Sequence, residues 1–338
     1  MWQKWRVPCG GSWDPRHDEA RRILEQRGLE SGQRRMTTPV PDNSPDGAKP
    51  VAGLRHYLRH LRPLSFPVVG FHMAAGFFVA HRGAVWQLGA RDWGFICAGV
   101  SIWTLLLNGG TLAINTVFDR DEGDIGYLFN PPPVPRYLLG FSLVLLALGM
   151  ALAPFLGWRF GITYAICLVM SLLYSVPPVR LKARAGWDLL INCSGYGMLT
   201  FYAGWAVARK PLEPRGLFAC LGYLLLFICF YPLTQIYQNE EDRRRGDRTF
   251  ALLLGRRWVL RLSLAMMAAA FVLFGAHAVW GGLSWRVIGL PLAFFAWCVV
   301  LIPWNLRQER YDEKRGMYRA LWAWGLTDIA IVFNAVGP

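Results

Sequence analysis

Nine apolar runs of 17 to 26 residues, each with few or no charges, dominate this chain. They lie near 63–80, 93–118, 137–157, 160–176, 187–207, 216–238, 258–280, 285–304 and 317–336. Each is long enough to cross a hydrocarbon core of ~30 Å as a helix. A large soluble helical core would need polar faces that these segments lack. Trp86, Trp93, Trp158, Trp187, Trp258, Trp280, Trp285 and Trp304 sit close to the ends of the runs, where an interfacial aromatic belt belongs. The expected fold is therefore all-α: a polytopic membrane protein of about nine spans, arranged as two four-helix halves plus one.

The net charge of +14 suggests nucleic acid until its placement is considered. Loops that share one side hold fifteen basic residues: Arg120, Arg136, Arg180, Lys182, Arg184, Arg243, Arg244, Arg245, Arg248, Arg256, Arg257, Arg307, Arg310, Lys314 and Arg315. The opposite loops hold seven. By the positive-inside rule the N-terminus is cytoplasmic and the C-terminus outside, and no nucleic-acid partner is expected. Seven cysteines form no CxxC pair, so neither a disulfide framework nor a zinc site is indicated.

Residues 1–53 form a separate region, rich in Arg, Pro, Gly, Asp and Ser, and read as a disordered basic tail with Met36 as an alternative start. The stretch "GLRHYLRHLRP" (53–63) reads either as a basic amphipathic lead-in on the membrane surface or as a solvated extension of the first span. The membrane domain is placed at 54–338.

The second run ends in "NTVFDRDEGD" (115–124), with Asp119, Asp121, Glu122 and Asp124 crowded at its mouth. Asn115 and Asp119 are i and i+4 and share one helix face. Gly123 lets the chain turn and return Asp124. The sixth run ends in "QNEEDRRRGD" (238–247), where Gln238 and Asp242 repeat the i, i+4 pairing beside Glu241, and Asp247 follows Gly246. Four spans separate the two clusters, so both fall on the same side. Amide and carboxylate oxygens suit a hard cation such as Mg²⁺, which typically takes one or two carboxylates plus substrate phosphates. Between them lies "YSVPPVRLK" (174–182), whose prolines restrict the backbone and hold Arg180 and Lys182 in place. Cations beside acids make sense where metal bridges the acids to a diphosphate and the cations hold its other oxygens.

This combination resembles the UbiA superfamily of intramembrane prenyltransferases. Residues 115–124 look like the family's N-D-x-x-D-x-x-x-D motif, 238–242 followed by "GDRTFALLLG" like its D-x-x-x-D motif, and 174–182 like Y-S-x-P-P-x-R/K-L-K. "LRP" at 61–63 also fits, and the likeness covers roughly 55–336. The middle motif is most like branches that make chlorophyll, tocopherol precursors, menaquinone and archaeal ether lipids. Three positions depart from the pattern: Thr116 and Gln238 replace aspartates, and Gly123 stands where Asp124 comes one residue late. The resemblance implies that Asn115 and Asp119 bind one Mg²⁺, with Asp124 a further candidate ligand, and Asp242 with Glu241 or Gln238 a second. It places Tyr174, Arg180 and Lys182 on the diphosphate; Arg120 and Arg243, basic residues within the two acid clusters, are further candidates there, and Asp119, Asp242 and Lys182 are the expected catalytic residues. Asn108, seven residues before Asn115, is a candidate for the cavity wall, as is Asn192. His72, His277 and Asp328 are further polar residues within spans.

The implied activity is Mg²⁺-dependent transfer of a polyprenyl group from its diphosphate to a hydrophobic or aromatic acceptor, such as a quinone or lipid precursor, at the cytoplasmic side of the cell membrane. A terpene cyclase of the same fold shares the ionisation step. A transporter is the rival from another class, but transporters place their polar sites near the midplane on interrupted helices, and these acids lie at helix ends.

Overall fold

A computed structural model describes residues 53–119, 126–282, 285–307 and 311–336, without the side chain of Glu241. The basic tail, Arg120 and Asp124 lie outside the described residues. All named elements are helices: α1 (Leu54–His60), α2 (Phe66–His81), α3 (Ala90–Asp119), α4 (Leu138–Leu156), α5 (Trp158–Ser175), α6 (187–207), α7 (Pro214–Ile236), α8 (Asn239–Arg245), α9 (Phe250–Leu254), α10 (Arg256–Trp280), α11 (Gly289–Leu306) and α12 (Glu313–Ala335).

Seven helices are long and apolar enough to cross a membrane: α2, α3, α4, α5, α7, α10 and α11, two of them (α2 and α11) with short flanking turns. The other two runs read from the sequence are helical as well but more polar. Helix α6 carries Asp188, Asn192 and three glycines, and α12 begins Glu-Lys-Arg and holds Asp328. The outward faces are apolar, with Val144, Phe155, Val272 and Phe295 among the exposed residues, so lipid is their solvent. Seven of the eight tryptophans read as an interfacial belt are exposed. Trp304 is the exception: it is fully buried and stacks on Tyr311, because α12 packs over that end of α11.

Two cores organise the bundle. One gathers Met73 and Phe77 of α2 with residues of α3, α4 and α5, and Ala203, Ala206 and Val207 of α6. The other gathers Ala75 and Val79 of α2 and Phe201 and Trp205 of α6 with α7, α10, α11 and α12. Helices α2 and α6 therefore belong to both halves and form the seam between them. At the seam their backbones nearly touch. A Cβ on Gly76 would stand 1.9 Å from the Phe201 carbonyl oxygen, and one on Gly204 would stand 1.8 Å from that of Met73. Small residues allow this approach, and dispersion between close backbones is what holds helices together where lipid removes the hydrophobic drive.

Two helices leave the α-helical repeat part-way. Helix α3 widens to π-helical turns over Ile102–Gly109, and α6 does so over Cys193–Leu199. In α6 the Thr200 hydroxyl donates to the Gly195 carbonyl, five residues back, at 2.9 Å. Wide turns of this kind recur at functional sites. With its 30 residues, α3 is ~45 Å long at 1.5 Å per residue, well beyond a ~30 Å core. Its last turns therefore carry Asn115 and Asp119 to the membrane boundary.

Replacing Gly204 by Ala should lower stability by about 1–3 kcal/mol or more, since the seam has no room to repack. Gly275→Ala in α10 meets nothing within 4 Å and should be neutral or stabilising by up to ~1 kcal/mol. Thermal unfolding of both variants in detergent checks the pair, and equal stabilities would contradict the seam.

Candidate active site

The end of α3, the loop after α5 and the end of α7 with α8 converge on one polar cavity of about 100 Å³. It is lined by Asn115, Asp119, Tyr174, Lys182, Tyr231, Thr234, Gln235, Gln238, Asp242, Arg245, Asp247 and Thr249. The loop is built for this position. Val176 ends α5, Arg180 turns left-handed at φ 36°, and a short 3₁₀ turn covers Leu181–Ala183. A non-glycine residue held there costs of order 1–3 kcal/mol and persists only where its surroundings impose it. The imposition here is ionic, because the Arg180 guanidinium grips Asp247 at 2.5 and 3.2 Å and reaches Asp119 at 3.5 Å. The Arg248 N–H donates to the Ala183 carbonyl at 3.1 Å, which joins the loop to the segment after α8.

Lys182 is 8% exposed. Its ammonium donates to Asn115 Oδ1 at 2.7 Å and to Asp119 in a short contact. The i, i+4 pair read from the sequence thus acts as one two-oxygen claw. Across the cavity Arg245 donates to Asp242 at 3.0 Å and lies 3.7 Å from Asp247, and Thr249 donates to the other Asp242 oxygen at 3.4 Å. Burial raises the Asp242 pKa above the usual carboxylate value, against the pull of Arg245. Burial alone would lower the Arg180 pKa, but Asp247 and Asp119 outweigh it and hold the guanidinium above its ordinary value.

Gln238 lines the cavity as the N-cap of α8, four residues before Asp242. The Glu241 side chain lies outside the described set. Arg243 is a correction: it is exposed, pairs with Glu240 at 3.8 Å and does not line the cavity. One residue past Asp242 is about 100° around a helix, whereas Arg245, three past, returns to the same face. Asp247 and Arg245 are the rim residues that the sequence reading left out of the site. The spacing past Gly246, φ 74°, is the signal that bears on Asp247, since the left-handed glycine folds the chain back over the cavity.

A second cavity of about 140 Å³ opens from the first through Asn115 and Tyr174, which line both. Its wall is mixed: Trp103, Leu107, Leu112, Cys167, Met170 and Ile191 alternate with Asn108, Thr111 and Asn192. The expected cavity residues Asn108 and Asn192 are both here. Asn108 accepts from the Tyr196 hydroxyl at 3.0 Å and donates to Ser65 at 3.1 Å, so the two π-helical stretches face each other across this chamber. A third, smaller hollow adjoins it at Tyr196 and Thr200 and is edged by His72, Phe227 and Trp324. His72 Nε2 donates to the Gly197 carbonyl at 2.9 Å, and Nδ1 meets Asp328 at 2.9 Å. This buried pair ties α2, α6 and α12 together. His277 likewise bonds the Arg215 carbonyl at 2.9 Å, joining α10 to α7.

Among the described residues no three His, Cys, Asp or Glu side chains form a metal cluster. The oxygen donors present are Asn115 and Asp119 on one side and Gln238 and Asp242 on the other, with Asp247 between them. Such a set fits a Mg²⁺ that completes its shell with phosphate oxygens and water.

The sequence profile described as the UbiA prenyltransferase family matches residues 69–324. The chain belongs to that family. It is 26% identical to a homogentisate phytyltransferase of Synechocystis over 66% of this chain and 77% of the relative. It is 29% identical to the bacteriochlorophyll synthase 33 kDa chain of Cereibacter sphaeroides over 56% and 70%. In fold it is similar to a UbiA homolog from Archaeoglobus fulgidus solved with GPP and Mg²⁺, with TM-score 0.61, 19% identity, and coverage of 83% of this chain and 99% of the other. It is also similar to a digeranylgeranylglyceryl phosphate synthase structure, with TM-score 0.63, 15% identity, and coverage of 84% and 98%.

Inorganic pyrophosphate binding separates the two arginines. Arg245→Ala should weaken it about tenfold, the effect of one charge-assisted hydrogen bond, and Arg243→Ala should stay within about twofold. Calorimetry of the purified variants at fixed Mg²⁺ reads both, and the reverse order would move the diphosphate to the outer face of α8.

Proposed function

We propose that the polar cavity binds a prenyl diphosphate by its headgroup, that the adjoining chamber holds the allylic end, and that the prenyl group passes to an aromatic or quinone-precursor acceptor. The observation that carries this reading is the sharing of Asn115 and Tyr174 between a charged cavity at the membrane boundary and a chamber running into the bundle. An amphiphile with a diphosphate head and a hydrocarbon tail matches that division. The acceptor class is supported by the names of two relatives, a homogentisate phytyltransferase and a bacteriochlorophyll synthase chain.

The charge pattern supports a divalent cation. Asp119, Asp242 and Asp247 are already matched by Lys182, Arg180 and Arg245. A diphosphate entering such a balanced site adds negative charge that the protein's cations alone do not offset. Asn115 with Asp119, and Asp242 with Gln238 or Glu241, would hold Mg²⁺, with Asp124 as a further proposed ligand. When bound, the metal supplies Lewis-acid stabilisation of the diphosphate oxygens. Lys182 and Arg180 then have phosphate oxygens to hold in exchange for part of their hold on the acids, with Arg120 as a further proposed contact.

In the chemical step the bond between the allylic carbon and the bridging oxygen breaks, and the electron pair leaves with the diphosphate. The remaining allylic cation lies against the faces of aromatic residues. The acceptor's nucleophilic carbon forms the new bond and loses its proton. Lys182, Arg180 and Tyr174 act at the developing charge on the leaving oxygens, where fixed donors in a site shielded from water are most effective. The basic loops that share this end of the bundle support a cytoplasmic site with the C-terminus outside.

Asp119→Ala and Asp242→Ala should each lower turnover by well over tenfold, more than ~1.4 kcal/mol of transition-state stabilisation, with folding intact. The unaltered protein should lose activity on chelation of divalent cations and regain it with Mg²⁺. Diphosphate release from allylic diphosphates in nanodiscs, with and without an aromatic acceptor, measures all three. Near-normal turnover in either variant rejects the ligand assignment, and acceptor-independent release of a cyclic product favours a cyclase.

A further inference from the structure

Tyr174 stands where the two cavities meet, and a chain of buried hydrogen bonds leads back from it. The chain begins at Asp188, which is completely buried. One carboxylate oxygen accepts from the Gly186 N–H at 2.8 Å. The other accepts from the Phe250 N–H at 2.7 Å and from Gln235 Nε2 at 2.8 Å. Each of these partners is a donor, so Asp188 anchors its end of the chain as an acceptor.

Gln235 transmits that polarity. Its Oε1 accepts from the Ala251 N–H at 3.2 Å. A backbone N–H is always a donor, so the amide orientation is decided by its partners. The NH₂ group therefore faces Asp188 with one hydrogen and the Tyr231 oxygen, 3.1 Å away, with the other. A phenol oxygen that accepts still has one proton to donate. The hydroxyl within reach is that of Tyr174, at 3.0 Å. With Tyr231 donating to it, the Tyr174 hydroxyl keeps its own proton for another acceptor, and the residue lines the cavity mouth beside Asn115.

We infer that Asp188, Gln235 and Tyr231 are positioning residues that set the direction of this hydrogen-bond chain, so that Tyr174 offers a donor, and never a lone pair, to the departing diphosphate. The inference rests on the transferase reading above and adds how the donor is aimed. If the chain ran the other way, the Tyr174 proton would point to Tyr231 and its lone pair would face a developing anion. A preset donor needs no reorientation when the carbon–oxygen bond breaks. The anchor is assembled from three separate segments: the start of α6, the end of α7 and the first turn of α9. Their hydrogen bonds to one another also brace the rim that carries Asp242.

Tyr231→Phe, Tyr174→Phe and the double variant test this in nanodiscs, with diphosphate release as the readout. Tyr174→Phe should lower kcat by about 10²-fold, as loss of a transition-state donor does. Tyr231→Phe should lower kcat by about tenfold while the KM for the prenyl diphosphate stays within about twofold. Added to Tyr174→Phe, it should change kcat no further, because it acts through that hydroxyl. Gln235→Glu places an acceptor where the NH₂ stands and should cost at least as much in kcat as Tyr231→Phe. Wild-type kcat in Tyr231→Phe overturns the inference. So do additive losses in the double variant accompanied by lowered thermal stability, which mark a packing role. Absence of any turnover by the unaltered protein overturns the transferase reading, and this inference with it.

Discussion

Everything at the polar end of this bundle depends on how buried carboxylates are neutralised beside lipid. Asp119 and Asp247 are almost completely buried, as is Lys182 between the helices. An uncompensated charge in such a place costs about 3–5 kcal/mol when its partner is removed. The loop after α5 prevents that cost by bringing Lys182 to Asp119 and Asn115 of α3 and Arg180 to both rims at once. The two halves therefore meet around the same cations, and the left-handed turn at Arg180 is the local strain that this meeting requires.

Such a knot is a poor device for stability alone, because buried ion pairs seldom outperform apolar packing. In the proposed function its value lies in exchange. Cations that hold acids in one state can hold phosphate oxygens in another, once divalent metal takes over part of the acids' charge. The neighbouring chamber supplies the complementary environment, with aromatic and aliphatic walls set among satisfied amides and hydroxyls. Residues of the π-helical turns of α3 and α6 line it, while the close approach at Gly76 and Gly204 holds α2 against α6.

Much of the fold was legible because lipid leaves a helix few options: its backbone must satisfy itself, so long apolar runs are helices. The observed ends of the helices fall within a few residues of the runs read from the sequence. Asn115, Asp119, Tyr174, Lys182, Gln238 and Asp242 all line the polar cavity, because i, i+4 spacing and a proline-restricted loop are local properties. Arg243 was misplaced for want of a known helix phase after the break at Tyr237. Trp304 looked like a belt residue because proximity to a helix end does not reveal what packs over it. Asp188 and Gln235 were not singled out: each is one of several polar residues in its run, and nothing in the sequence shows that the two meet.

The sequence by itself determined a helical membrane protein with two acid-bearing rims and a basic loop on one side, because hydropathy, charge and short spacings act within one helix or turn. Only the tertiary structure decided which acid meets which cation, that Arg245 faces inward while Arg243 does not, and that a buried carboxylate on α6 sets the polarity of a hydroxyl on α5. Those outcomes depend on the relative rotation and depth of helices distant along the chain. Two π-helical segments and a crossing of glycines fix that phase, and neither is encoded in any regular repeat of residue types.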